Sequence, residues 1–217
     1  MREGILIWET YRRFRYRIFQ KRYELSILGK ILLALSMAWV TGLFAQIRVS
    51  LPWTPVPITG QTFAVLLSGI LLGRFWGGLS QILYCLLGVT GIRWFAGFSG
   101  GWSVLMGPTG GYIWGFILAS FFLGYFTERF VRLRNFFPLL GLMFFANFFL
   151  IHIPGLLQLG LWYSVIKGTP LPLNQLFLKG TLPFIPGDIL KIILATGISS
   201  LLLPRESFHG EIDRGKG

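Results

Sequence analysis

Asp188 and Lys191 are the residues best placed to do chemistry. Asp188 is the one acidic residue inside any apolar span, and Lys191 follows it three positions later. That spacing puts both side chains on one helix face. Charges within a membrane are costly and face a cavity or a partner. The carboxylate would accept N–H groups from a ligand, and the ammonium beside it would bind a ligand oxygen. The alternative is a self-neutralising pair in which Asp188 caps the helix. Pro183, Pro186 and Gly187 set the pair in the opening turn, near the membrane surface.

Other side chains could join them. The segment Gly88–Gly111 is rich in glycine and holds Arg93, Trp94, Phe95, Ser99 and Trp102, with Tyr112 just beyond. Glycine lets backbone N–H groups approach a ligand, and apolar walls with a few polar groups make a small-molecule pocket. The same composition would serve a tight connector with interfacial aromatics. Pro52–Gln61 carries prolines at 52, 55 and 57 and ends at a helix start. It reads as a stiff lid from which Thr59 or Gln61 reaches a cavity, or as a turn in which Thr59 is an N-cap. Ala34, Ala38 and Gly42 recur every four residues. Such a stripe lets another helix pack closely, from this chain or from another subunit.

Two absences narrow the chemistry. Cys85 is the single cysteine and lies in an apolar run, which excludes a disulfide or metal framework. The sequence has no phosphate-binding Gly-x-x-x-x-Gly-Lys-[Ser/Thr] loop. ATP-driven movement of a ligand would need an ATPase on another polypeptide.

The elements that must position these residues are membrane helices. Hydrophobic residues make up 53% of the chain and charged ones 13%, against roughly 25% charged in soluble domains. No charge occurs between Val49 and Gly73, between Trp94 and Thr127, or between Asn135 and Ile166. A span needs roughly 20 apolar residues. The expected fold is an all-α integral membrane protein of six spans: Ile27–Gln46, Gln61–Gly73, Gly77–Gly88, Gly110–Phe126, Phe136–Leu161 and Gly187–Leu203. The second and third are short, and the Gly73-Arg74 break between them could instead mark a re-entrant hairpin. Pro154-Gly155 marks a kink or interfacial turn in the fifth. Leu25–Gln46 is too long for a signal-peptide core and reads as a retained first span.

The net charge of +12 comes from basic residues that flank apolar segments, a pattern that argues against nucleic acid and for a lipid bilayer. With the N-terminus cytoplasmic, fifteen Lys/Arg fall inside and four outside: Arg48, Arg93, Lys167 and Lys179. That asymmetry fits the positive-inside rule, with both termini cytoplasmic. Three long segments rich in Gly, Pro and Trp then face outward: Ile47–Thr59, Val89–Thr109 and Tyr163–Pro186. The organisation is a basic cytoplasmic tail (1–24), a six-helix membrane domain (25–204) and a cytoplasmic C-terminal tail (205–217).

Four motifs in order carry a family resemblance. They are Pro55-Val-Pro57-Ile-Thr59-x-Gln61; Phe95-Ala-Gly97-x-Ser99-Gly-Gly101; Gly107-Pro-Thr-Gly-Gly-Tyr112 followed by Gly115-Phe; and Pro183-Phe-Ile-Pro-Gly-Asp188-x-x-Lys191. Together they resemble the BioY family, the biotin-binding S components of energy-coupling-factor vitamin transporters, over about Ala34 to Leu203. Two departures are the long basic N-terminal extension and Ile92-Arg93-Trp94, which replaces an apolar residue, proline and valine. The resemblance implies an S component of the cell membrane that holds biotin under an outer lid and has no cofactor of its own. It also implies docking, through the Ala34-x-x-x-Ala38 stripe, onto a transmembrane coupling subunit bound to two ATPases. Asp188 would meet the ureido N–H groups; Lys191, Ser99, Tyr112 or Arg93 would serve the carboxylate; Trp53, Phe95, Trp102 or Phe184 would wall the rings. Either end of biotin could face Lys191.

Two rival functions share parts of this pattern. One is an S component for another vitamin. The other is a rhomboid-like intramembrane serine protease, because Gly97-Phe-Ser99-Gly100 matches a Gly-x-Ser-Gly nucleophile and His152 lies in a later span. Against it, Ser99 sits in a loop before a span, and Gly160 misses the expected register after the histidine. The sequence therefore favours a transport component, not an enzyme.

Overall fold

The computed structural model describes residues 2–207. The rest of the expected C-terminal tail, including Arg214 and Lys216, lies outside the described residues, as does Met1. The chain folds as helices α1 (Arg2–Glu24), α2 (Ile27–Gln46), α3 (Gln61–Val89), α4 (Trp102–Leu105), α5 (Gly110–Arg129), α6 (Phe136–Phe145), α7 (His152–Leu161), α8 (Leu173–Gly180) and α9 (Ile185–Leu202). Two-residue strands β1 (Arg48–Val49) and β2 (Ile58–Thr59) form an antiparallel ribbon. Among the described residues, five helical stretches are long and apolar enough to cross a bilayer. They are Ile27–Gln46, Gln61–Val89, Gly110–Arg129, Phe136–Ile166 and Leu173–Leu202.

The α3 stretch is not a straight rod. As one helix its residues Gln61 and Tyr84 would lie roughly 35 Å apart, yet Gln61 Nε2 donates to Tyr84 Oη at 2.7 Å. The chain folds back at Gly73, whose φ of 80° is a left-handed conformation that glycine adopts without strain. A buried polar network then locks the two arms together. Gln81 Nε2 donates to Ser68 Oγ at 3.1 Å and to Thr41 Oγ1 at 3.3 Å, and the Ser68 and Ser120 hydroxyls lie 2.6 Å apart. In hydrocarbon an unsatisfied polar group is costly, so this network ties α2, both arms of α3 and α5 into one core.

Phe136–Ile166 runs as one helical stretch despite Pro154. A π-turn at Ala146–Ile151 precedes the proline and absorbs its missing backbone donor and ring clash. The third outer segment, Tyr163–Pro186, contains α8. The N-terminal basic segment is a helix laid against one end of the bundle: Phe19 and Arg15 are buried, Tyr11 donates to the Leu201 carbonyl, and Arg12 pairs with Glu206.

The small-residue stripe of α2 is internal. Ala34 and Ala38 are fully buried, and Gly42 lies against the Trp94 ring. This corrects the docking role that the resemblance implied for Ala34, Ala38 and Gly42. Their face is the seam on which the chain's own helices close, and the accessible face of α2 carries Leu28, Leu32, Trp39 and Leu43.

Candidate ligand-binding site

A cavity of about 330 Å³ opens where the first turns of α3, α5 and α9 converge, within the usual range for small-molecule pockets. Its floor is polar. Asp188 is buried, and its two oxygens are held by three donors: Lys191 Nζ to Oδ1 at 2.7 Å, and His152 Nε2 and Asn147 Nδ2 to Oδ2 at 2.8 and 3.0 Å. The carboxylate demands the proton on His152 Nε2, so Nδ1 faces the Thr181 hydroxyl at 3.3 Å. Lys191 Nζ also donates to Thr62 Oγ1 at 3.1 Å. An ammonium has three donors, which leaves one for a ligand. The first turn of α9 has no side-chain cap, so Asp188 is not a helix cap.

The lid is a closed loop. The β1–β2 ribbon pairs Arg48 with Thr59 and Val49 with Ile58, and the prolines lie in the loop between the strands. Its tip is tied to α8: Thr54 Oγ1 donates to the Lys179 carbonyl, and Lys179 Nζ to the Trp53 carbonyl, each at 2.7 Å. Thr59 is a strand residue that donates to Gln61 Oε1 at 2.8 Å, and Gly60 takes the N-cap position of α3. Gln61 is thus fixed at both ends, by Thr59 and by Tyr84.

Asp188, Lys191, Tyr112, Ser99, Gln61, Thr59 and Phe95 line the cavity. Tyr112 does so with its ring, because its hydroxyl donates to the Gly180 carbonyl at 2.7 Å. Trp53, Trp102 and Arg93 are corrections to the sequence-based site. Trp53 is 55% exposed and Trp102 59%, Arg93 is also exposed, and none of them lines the cavity. Trp102 opens α4 on its outer side, while Ser103 and Val104 line the cavity. Phe184 supplies a wall.

Arg48 is the cationic lining residue that sequence reasoning missed. Its guanidinium packs on Gly97, where φ is 72° and any Cβ would collide with it. No carboxylate among the described residues pairs with Arg48. His152 and Asn147 were missed as partners of Asp188. Positions five apart on an α-helix diverge by about 140°, and it is the π-turn that aligns them. A polar pair within the charge-free run 135–166 was the available signal.

Ser99 and His152 line the same cavity but form no dyad. Ser99 Oγ donates to the Ala96 carbonyl at 2.9 Å, and both ring nitrogens of His152 are held by Asp188 and Thr181. The protease reading fails on this geometry.

Comparisons with known proteins identify the family. The BioY family model matches residues 19–207. The chain belongs to the BioY family. A probable biotin transporter BioY from Methanothermobacter thermautotrophicus is 53% identical over 147 residues, covering 68% of this chain and 94% of that protein. One from Pyrococcus horikoshii is 40% identical, covering 79% of this chain and 93% of that protein. The crystal structure of the S-component for biotin from an ECF-type ABC transporter aligns with a TM-score of 0.72 at 23% identity. It covers 82% of this chain and 94% of that one, and establishes the fold. This BioY family member is a multi-pass membrane protein and a transport component, not an enzyme.

Proposed function

We propose that the chain captures biotin with high affinity at the outer face of the cell membrane, as the S component of an energy-coupling-factor transporter. The observation that carries this reading is the buried Asp188–Lys191 pair at the floor of a lidded cavity. Biotin's ureido group offers N–H donors and a carbonyl in one plane. Asp188 is the matching acceptor, and the remaining N–H of Lys191 is the matching donor. The valerate carboxylate would be repelled by Asp188 and drawn to Arg48. Phe95, Tyr112 and Phe184 wall the bicyclic ring. Ser99 also lines the cavity, but its hydroxyl proton is spent on the Ala96 carbonyl.

In this reading the two arms of α3 both cross the membrane, giving six crossings with the termini cytoplasmic, as the excess of inner Lys/Arg favours. A transmembrane coupling subunit and two ATPases supply the energy. Since Ala34 and Ala38 are internal, the coupling subunit meets another face. The test is retention of labelled biotin by membrane vesicles from cells expressing the chain. Retention should fall with excess unlabelled biotin and persist with thiamine or riboflavin. Retention no greater than in vesicles lacking the chain contradicts the proposal.

A further inference from the structure

The opposite end of the bundle holds a second cavity, of about 500 Å³, whose lining is cationic. Arg22 of α1, Lys30 of α2, Arg74 at the hairpin turn and Arg129 of α5 line it, with Glu128 as its carboxylate. Glu128 is already engaged. Its Oε1 accepts from Arg22 Nη2 at 3.0 Å, and its Oε2 from the Arg74 backbone N–H at 3.2 Å. Arg22 is itself fixed, donating to the Leu71 carbonyl at 3.0 Å and to Tyr23 Oη at 2.7 Å. Lys30, Arg74 and Arg129 have no carboxylate partner among the described residues. They converge on one cavity whose described carboxylate, Glu128, is already paired with Arg22.

A second observation identifies the kind of anion. An apolar groove adjoins the cavity, shares Arg74, Phe75 and Tyr125 with it, and runs over Phe121, Phe122 and Phe126. A cationic recess continuous with an aromatic groove on a membrane helix is complementary to an amphiphile. A free phosphate would answer the charge and leave the groove bare.

We propose that this end of the protein binds an anionic phospholipid, with the phosphate among Lys30, Arg74 and Arg129 and an acyl chain along Phe121, Phe122 and Phe126. Guanidinium groups bind phosphate oxygens in a bidentate fork, and basic pockets between membrane helices suit such headgroups. The lipid would bridge α1, α2, the Gly73 turn and α5. It is independent of the biotin cavity, which lies at the other end of α5.

The test uses the full chain in mild detergent, read by native mass spectrometry and thermal unfolding. Phosphatidylglycerol, phosphatidylcholine and inorganic phosphate are added in turn. The expected result is retained phosphatidylglycerol adducts and a raised melting temperature, with no matching effect of phosphatidylcholine. The double variant Arg74→Gln/Arg129→Gln should retain phosphatidylglycerol about 30-fold less tightly and bind biotin as the parent does. Lys30→Gln provides the same readout should the double variant aggregate. A stabilisation by inorganic phosphate equal to that of phosphatidylglycerol would overturn the lipid assignment in favour of a soluble phosphate. Equal retention of both lipids, or retention unchanged in the variants, would overturn the site.

Discussion

At one end of the bundle Asp188 and Lys191 neutralise each other inside a lidded cavity; at the other, Lys30, Arg74 and Arg129 converge with no described carboxylate left to answer them. The first arrangement is rigid. Each oxygen of Asp188 has an assigned donor, and the donors come from α7, α9 and the π-turn. Such a site selects a ligand by hydrogen-bond geometry. The second arrangement is open, with Arg74 and Arg129 exposed. It selects by charge. The difference teaches that net charge says little about where specificity lies; what matters is whether the charges are already paired.

The largest effect should come from breaking the paired end. Asp188→Asn leaves Lys191 without its counter-charge, and truncating one member of a buried charge pair costs about 2–5 kcal/mol. Biotin affinity should fall roughly 10²- to 10³-fold by calorimetry, with phosphatidylglycerol retention untouched. A loss below about threefold, well short of that cost, would remove Asp188 from the site.

Next in size is the Gly73 turn, which lies at the open end. Gly73→Ala forces a Cβ into a left-handed position and onto the Glu128 carboxylate. Thermal unfolding in detergent should drop by roughly 2–8 °C. Gly141→Ala, where a Cβ meets nothing within 4 Å, should not shift it, and equal losses for both would argue against the turn.

Arg48 sharpens the polarity within the cavity. Arg48→Gln should weaken biotin about tenfold, as expected for one charge contact at an exposed residue, and leave the neutral amide of biotin unaffected. Equal weakening of acid and amide would place the carboxylate elsewhere. The smallest effects belong to the outward-facing aromatics. Trp53→Ala and Trp102→Ala should each change biotin affinity by less than about twofold, since exposed positions contribute little. A tenfold loss at Trp53 would mean that the lid carries it inward on binding, and one at Trp102 would mean that α4 does.

The parts of this architecture that were legible in the sequence are those where a residue type conflicts with its surroundings. Asp188 and Lys191 stand out because a charge in an apolar span is expensive. Gly73-Arg74 stands out because it interrupts a hydrophobic run. Trp53, Trp102 and Arg93 misled because aromatics and arginines in membrane loops suit the interface as well as a pocket. Asn147 and His152 were hidden by the assumption of α-helical register, which the π-turn breaks. Arg48 was hidden by its place next to the first span, where it reads as an outer flanking charge. Helix α8 escaped because its eight residues are fewer than the roughly 11 over which helical periodicity can be judged. The inward turn of Ala34 and Ala38 depends on which helix closes on them, and spacing alone cannot say.

The most direct test of the account is a calorimetric titration of the purified, folded protein with biotin, alongside thiamine and riboflavin. The account predicts saturable, one-site heat with biotin and none with the other two vitamins. A folded sample that gives no heat with biotin, or that binds thiamine or riboflavin as well, would contradict it.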